Sequence, residues 1–391
     1  MAGFCYQMNQ FFAHIPYSKE RQMGLKAHGV KSTFIVQKKA SLYDWEELQK
    51  WIDLNQGEWI LSVSSFESGF CFLGLDAHQE DNLNAPALVW VVPEKIEILS
   101  APETITPIQS NSSWHFSEGE TQNEYIQNLD KIKNHLLRGD FYETNYCTLL
   151  QSKEYCNEPY EHWKIRYQAH PSPHAAYFQW NDIHLLCLSP ERFIKKQKST
   201  LISQPIKGTI QRKKNKEEDQ KVIEWLTHSQ KDKSENTMIV DLVRNDMSKI
   251  AQKNSVVVPE LCAIYTFPTL HHMISTIQCE IKSNTHVIEI FKALFPMGSM
   301  TGVPKKISVQ KMNEMEKKPR GWYSGTCGWM SPDGNFDFNV IIRSIVYNKS
   351  TGESKIGIGS AITLASDFKS EWAECKLKAR SLTSPQLANE N

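Results

Sequence analysis

The chain has 391 residues with 44 basic and 44 acidic side chains, so its formal net charge is zero. That length can bury a large core in one or two domains, which excludes a disordered tail or a disulfide-stapled miniprotein, and balanced charge argues against nucleic acid as the partner. Hydrophobic residues make up 40%, yet no uncharged apolar run approaches the roughly 18 residues that span a bilayer. Met1 to Gln10 lacks a basic start followed by an apolar stretch, and the nine cysteines show no Cys-x-x-Cys and no zinc-like spacing. The expectation is a cytoplasmic protein with reduced thiols and neither a membrane nor a nucleic-acid partner.

In chain order, the first hundred residues read as strand-rich. Trp59-Ile60-Leu61-Ser62-Val63-Ser64 and Ala87-Leu88-Val89-Trp90-Val91-Val92 are rich in β-branched and aromatic residues and closed by turn formers. From Ala101 to Glu120 the chain turns polar, with Pro102, Pro107, Ser110, Asn111, Ser112, Ser113 and Gly119 as breakers. This is the best internal boundary, between a half over 1–115 and a region over 120–385, read together as one intertwined domain. Thr121 and Glu124 then fit a capping box, and Tyr125, Ile126, Leu129, Ile132, Leu136 and Leu137 recur at helical spacing until Gly139.

A second helix is predicted from Ser234, as cap, to Ala251, with Met238, Leu242 and Val243 inward. A third starts at Pro304, whose fixed φ suits a first helical turn, and carries Ile307, Val309, Met312 and Met315. Trp322–Met330 and Phe336–Tyr347 read as a strand pair joined through Ser331-Pro332-Asp333-Gly334. The charged run Arg212–Lys221 mixes both signs and reads as a solvated loop or exposed helix turn. Strands and helices mix without regular βαβ alternation, so the fold class is α+β.

Several segments can carry chemistry. Pro205-Ile206-Lys207-Gly208-Thr209 places a lysine between chain-bending residues, where it is either solvated, as most lysines are, or held in a site. Phe295 to Lys305 is a glycine and hydroxyl loop feeding a helix, with glycines at 298 and 302; it suits an anion or is an ordinary connection, and it is not a nucleotide P-loop. Arg343 sits in the apolar run Val340–Val346 and needs an anionic partner, from the protein or from a substrate. Asp232 with Glu235, and Glu371 with Glu374, lie three apart. Each pair is either a solvated helix face or, if the two faces meet, an oxygen-only site for Mg²⁺. Of the neighbours His271 and His272, at most one can point into a given pocket. Gly357-Ile358-Gly359-Ser360-Ala361-Ile362 is small enough for backbone N–H groups to approach a ligand.

Together, and in this order, these segments resemble the chorismate-utilising enzymes over about Thr121 to Leu382. Further matching motifs are Gly139-Asp140, Ser189-Pro190-Glu191-Arg192-Phe193, Val240-Asp241-Leu242-Val243-Arg244-Asn245-Asp246, Pro319 to Gly325, Ile342-Arg343-Ser344 and Glu371 to Lys378. The resemblance implies two large curved antiparallel sheets flanked by helices, with Mg²⁺ and chorismate between them. Lys207, where anthranilate synthases carry Ala, is similar to the aminodeoxychorismate synthase branch. By that resemblance Glu235 and Glu374 hold Mg²⁺, with Glu371 and Asp232 beside them. Tyr323, Arg343, Gly359 and Ser360 hold the enolpyruvyl carboxylate, and Thr209, Ser299 and Lys378 line the site. Glu191 protonates the departing C4 hydroxyl, Lys207 attacks C2, and His272 is a candidate proton shuttle.

Two positions depart from the family pattern. Glu143 stands where Gln or Lys is usual, which is unfavourable beside an anionic substrate unless it is paired or protonated. Ala361 replaces a usual Gly. No Gly-x-Cys-x-Gly elbow surrounds any cysteine, so ammonia is expected from solution or from a separate glutamine amidotransferase subunit. The alternatives are an anthranilate synthase component I and a non-catalytic chorismate-binding subunit.

Overall fold

A computed structural model describes residues 9–77, 81–106 and 114–383. Residues 107–113 of the boundary predicted over 101–120, and Cys5, lie outside the described residues.

Two ten-stranded sheets make the frame, and every strand pairing in the recorded registers is antiparallel. The first runs in the order Gly302–Val303, Glu143–Lys153, Glu353–Ile362, Ser344–Asn348, Ile183–Cys187, Ala176–Trp180, Phe11–Ser18, Met23–His28, Lys95–Leu99, with Ser117–Glu118 beside Glu143–Lys153. The second runs Ile206–Gln211, Leu270–Glu280, Thr200–Gln204, Arg192–Gln197, Phe336–Val340, Thr326–Met330, Ile60–Ser64, Leu88–Val92, Ser32–Val36, with Val257–Thr266 beside Leu270–Glu280. Strands from the first hundred residues thus complete both sheets. The α+β class and the two large antiparallel sheets flanked by helices agree with the expectation.

The apolar runs explain the layering. In Leu88–Val92, Leu88, Trp90 and Val92 face one apolar cluster while Val89 and Val91 face another. A strand covered on both faces needs no polar alternation. The middle cluster lies between the sheets, joining Ala13, Leu25 and Phe178 to Leu61, Val63 and Trp322. The Trp322 indole N–H donates to Pro86 O at 2.7 Å, so its burial leaves no orphaned donor. Outside the first sheet pack Gln122–Arg138, Pro159–Ala169 and Phe368–Thr383; outside the second pack Leu42–Leu54, Gln230–Ser248 and Val287–Leu294.

Local chemistry set some boundaries as expected and moved others. The Gln122–Arg138 helix opens on the Thr121/Glu124 capping box and ends on Gly139 in the left-handed region, and it buries Tyr125, Leu129, Ile132 and Leu136. Leu137 points to solvent. The helix predicted from Ser234 begins at Gln230 instead, because Ser229 accepts from the Asp232 N–H and is the true cap. It turns Ile239, Val240, Leu242 and Val243 inward, with Met238 only half-buried. Pro304 is the cap of the Lys305–Met315 helix rather than its first residue. Trp322–Gly325 is a turn, and the predicted strand over Phe336–Tyr347 is two strands in different sheets, divided at Ile341-Ile342-Arg343. The charged run ends in a helix, Lys216–His228, capped by Asn215, with Asp219 held by Arg212 and His271.

Candidate active site

The site forms where the Glu143–Lys153 strand of the first sheet faces the Ile206–Gln211 strand of the second. The latter pairs Ile206 with Ile274 and Thr209 with His272, so Lys207 and Gly208 together oppose one residue as a bulge. A bulge re-aims its side chains. Gly208 holds φ +83°, and a Cβ there would press on Asp232 at 3.0 Å, so the turn requires glycine.

Lys207 is 9% exposed and Glu143 1%, and Lys207 Nζ lies 2.9 Å from Glu143 Oε1 across the two sheets. This answers the question posed by Glu143: it is paired. Burial alone would lower the Lys207 pKa, but the charges of Glu143 and Glu235, the hydrogen bond to Glu143 and the charge of Glu191 together raise it. The lysine therefore rests as a cation. Glu191, preceding the Arg192–Gln197 strand, is buried. Burial pushes its pKa up to about 7, against a hydrogen bond from Ser299, the charge of Lys207 and the Ile206 N–H. A carboxyl poised near neutrality is suited to giving up a proton in a reaction.

A cluster of acids comes from two helices. Burial raises Glu235 to about 7 against the pull of Lys207 and Lys231. Glu371 accepts from Lys231 at 2.8 Å, and Glu374 pairs with Lys378 at 2.8 Å. For Glu374, burial pushes upward, but Lys378, Lys231 and Lys207 hold its pKa below the usual value. The Asp232 carboxylate accepts from the hydroxyl of Ser229, the cap of the same helix. Among the described residues no three His, Cys, Asp or Glu side chains converge closely enough to hold a metal ion by themselves. The set nonetheless suits a hard cation of the Mg²⁺ type, which needs only one or two carboxylates, because Glu235 Oε1 is buried without a hydrogen-bond partner.

Facing the acids is a basic end. Arg343 holds φ +51°, in the left-handed region where a non-glycine residue is strained, as the chain crosses between sheets. Its guanidinium makes no ion pair among the described residues; burial lowers its pKa, and Glu374 and Tyr323 act on it only through their charge. Tyr323 is buried beside it and packs on Gly357, where a Cβ would lie 2.0 Å from the ring. The small-residue stretch therefore first makes room for Tyr323. The backbone of Gly359 pairs with Cys147 and its carbonyl accepts from Lys378 at 2.9 Å, while the Ser360 hydroxyl meets Tyr125 at 2.8 Å. Ala361 pairs with Asn145. His272 Nδ1 meets Thr209 Oγ1 at 2.8 Å, and its pKa falls to about 3 through burial, with Arg343 and His271 adding to it. It is neutral at neutral pH. His271 points the other way, to Asp219 at 2.9 Å.

The glycine loop is held by its own contacts. Thr301 Oγ1 donates back to Met297 O and Gly298 O, Lys305 pairs with Asp246 at 2.6 Å, and Gly302 docks as an edge strand beside Thr144. Ser299 hydrogen-bonds Glu191, and Met297 and Gly298 line the same cavity. Two supporting residues had no role in the sequence reading. Arg320 and Glu316 pair at 2.6 Å in a buried position, and Arg320 also donates to Met300 O and Asn145 O, lacing the loop to the Glu143 strand. Their spacing of four was the available signal.

Among the described residues no helix is long and apolar enough to cross a membrane. A family model described as chorismate binding enzyme matches residues 17–384. The chain is 38% identical over 267 residues to the probable aminodeoxychorismate synthase, chloroplastic, of Oryza sativa subsp. japonica, covering 67% of this chain and 30% of that protein. It is 32% identical over 276 residues to aminodeoxychorismate synthase component 1 of Bacillus subtilis, covering 71% and 58%. In both cases the matched part is less than two thirds of the relative. Among solved structures, anthranilate synthase component I from Streptococcus pneumoniae superposes with a TM-score of 0.79 at 18% identity, over 98% of this chain and 95% of that one. That likeness establishes a shared fold.

Proposed function

The chain belongs to the family of chorismate binding enzymes, and from that premise we propose that it aminates chorismate at C4, with loss of water, to give 4-amino-4-deoxychorismate for p-aminobenzoate and folate synthesis. The observation that carries this reading is Lys207, buried and paired with Glu143, with Glu191, raised to about 7, acting on it through its charge.

Chorismate offers two carboxylates and a poorly leaving C4 hydroxyl, so the reaction needs anion anchors, a proton donor and a nucleophile. Arg343 and Tyr323 anchor the enolpyruvyl carboxylate, with Thr209, held by His272, and Ser299 lining the ring. Glu235 and Glu374, with Glu371 and Asp232 beside them, would hold Mg²⁺, which supplies charge to bind the ring carboxylate and to offset the anions that keep Lys207 protonated. Once its proton has gone to solvent, Lys207 Nζ forms a bond to C2 as the ring double bonds shift and the C4–O bond breaks. Glu191 gives its proton to the leaving hydroxyl, which departs as water. Ammonia then attacks C4, the C2–Nζ bond breaks and returns Lys207 as an amine, and the Glu191 carboxylate takes the proton shed by the new ammonium.

The ammonia source in this reading is a separate glutamine amidotransferase subunit. Mass spectrometry of the product from chorismate, Mg²⁺ and ammonium tests it. The expected product keeps the enolpyruvyl group, and the pure chain should not use glutamine. Pyruvate with an ortho-amino product would place the chain with the anthranilate synthases, and untouched chorismate would make it a binding subunit.

A further inference from the structure

The acid end of the cleft already holds a cation of its own. Lys231, in the first turn of the Gln230–Ser248 helix, places Nζ 2.8 Å from Glu371 Oε1 and 3.9 Å from Glu235 Oε1. The two carboxylates come from different helices and are only 2% and 9% exposed, while the Lys231 side chain is 46% exposed. One ammonium with a solvated stem thus sits between two buried anions. Glu235 Oε1 has no hydrogen-bond partner, so the bridge is tight on one side and loose on the other.

Two buried carboxylates left unpaired repel each other and lose their hydration, so a cation between them stabilises the metal-free protein. A lysine suits this role, being a compact point charge on a flexible four-carbon stem that can leave as readily as it arrives. We propose that Lys231 is an exchangeable counter-ion, which bridges Glu235 and Glu371 in the metal-free protein and withdraws to solvent when a divalent cation takes its place. The inference rests on the reading that this cleft binds Mg²⁺. Lys378 differs, because besides Glu374 it is bonded to Gly359 O and so stays tied to the site.

If Lys231 must be displaced, it weakens the apparent affinity for the metal by the fraction of molecules in which it occupies the bridge. Its removal should therefore tighten metal binding and, in metal-free protein only, loosen the contact between the two helices. The test is Mn²⁺ titration by calorimetry of the full chain, together with melting temperatures with and without saturating Mn²⁺, for the wild type, Lys231→Met and Lys233→Met. Lys233 makes no ion pair with these acids and reports the general effect of removing one positive charge. The expected result is about fivefold or greater tightening for Lys231→Met beyond that for Lys233→Met. The melting temperature of Lys231→Met should be lower without Mn²⁺ and equal to wild type with it. Equal tightening in the two variants, weaker binding in Lys231→Met, or an equal drop in melting temperature with and without Mn²⁺ would overturn the proposal. A wild type that binds no Mn²⁺ at all would instead remove the metal from the functional reading, and this inference with it.

Discussion

At the acid end of the cleft, Glu235, Glu371 and Glu374 are held by Lys231 and Lys378, whereas at the basic end the Arg343 guanidinium has no carboxylate to pair with. Both ends carry strong charge in a partly desolvated place, yet only one is compensated by the protein. Leaving a half-buried guanidinium open costs stability and is tolerable where a ligand supplies the anion. On the proposed reading the asymmetry would orient a dicarboxylate. One carboxylate would replace the missing partner of Arg343, and the other would meet the acids through a cation that displaces Lys231 while Lys378 stays.

The comparison breaks most directly at Arg343. Arg343→Ala should weaken chorismate binding by roughly 10- to 100-fold, the worth of a lost charge-assisted hydrogen bond, while Mn²⁺ binding at the other end stays as in wild type. Calorimetric titration with each ligand separates the two, and an equal loss of both would merge the ends into one site.

Glu191 sharpens it through pH. Its burial-raised pKa of about 7 means that the acid form needed to protonate the hydroxyl is lost above that pH. The rate of the step forming the Lys207 bond, followed without ammonia so that ammonium titration does not intrude, should climb up to about pH 7 and then level off, because beyond it the loss of protonated Glu191 cancels the gain in neutral Lys207.

Glu235→Gln tests the acid end through stability. A carboxyl raised from its usual value to about 7 in the folded protein destabilises the fold progressively as pH climbs from the usual carboxylate range to about 7, and fully above it. In metal-free protein at pH 8, Glu235→Gln should therefore be more stable than wild type by about 1–3 kcal/mol, and it should bind Mn²⁺ more weakly. Denaturant unfolding at pH 5 and pH 8 checks the sign, since the gain should largely vanish at the lower pH.

The smallest change is expected from Glu143→Gln. Without that anion, Lys207 loses both the charge and the hydrogen bond of Glu143 and its pKa falls, so the alkaline midpoint for formation of the Lys207 bond should move to lower pH. An upward shift would show that Glu143 does more than hold the lysine's charge.

How much of this was legible depended on range. The Thr121 cap was readable because a capping box is complete within four residues. Ser229 was missed for Ser234 because the apolar pattern of that helix begins only near Met238, and the polar first turn gives no periodicity. The crossing at Ile341–Arg343 was hidden because Phe336–Val340 and Ser344–Asn348 are both buried on two faces, so the apolar run continues unbroken through a change of sheet. Motif order pointed to the candidate catalytic side chains one by one. The Glu143–Lys207 pair joins residues distant in sequence across two sheets and needed coordinates, whereas Lys231 to Glu235 was an ordinary helix spacing that carried more meaning than its pattern suggested.

The central claim is that Lys207 acts as a nucleophile on chorismate bound between the two ends. Intact-protein mass spectrometry after mixing the chain with chorismate and Mg²⁺, without ammonia, tests it directly. The account predicts an adduct heavier than the free chain by chorismate less one water, localised by peptide mapping to Lys207, absent from Lys207→Ala and discharged by added ammonium. Equal adduct on Lys207→Ala, or C4 amination by Lys207→Ala at the wild-type rate, would contradict it.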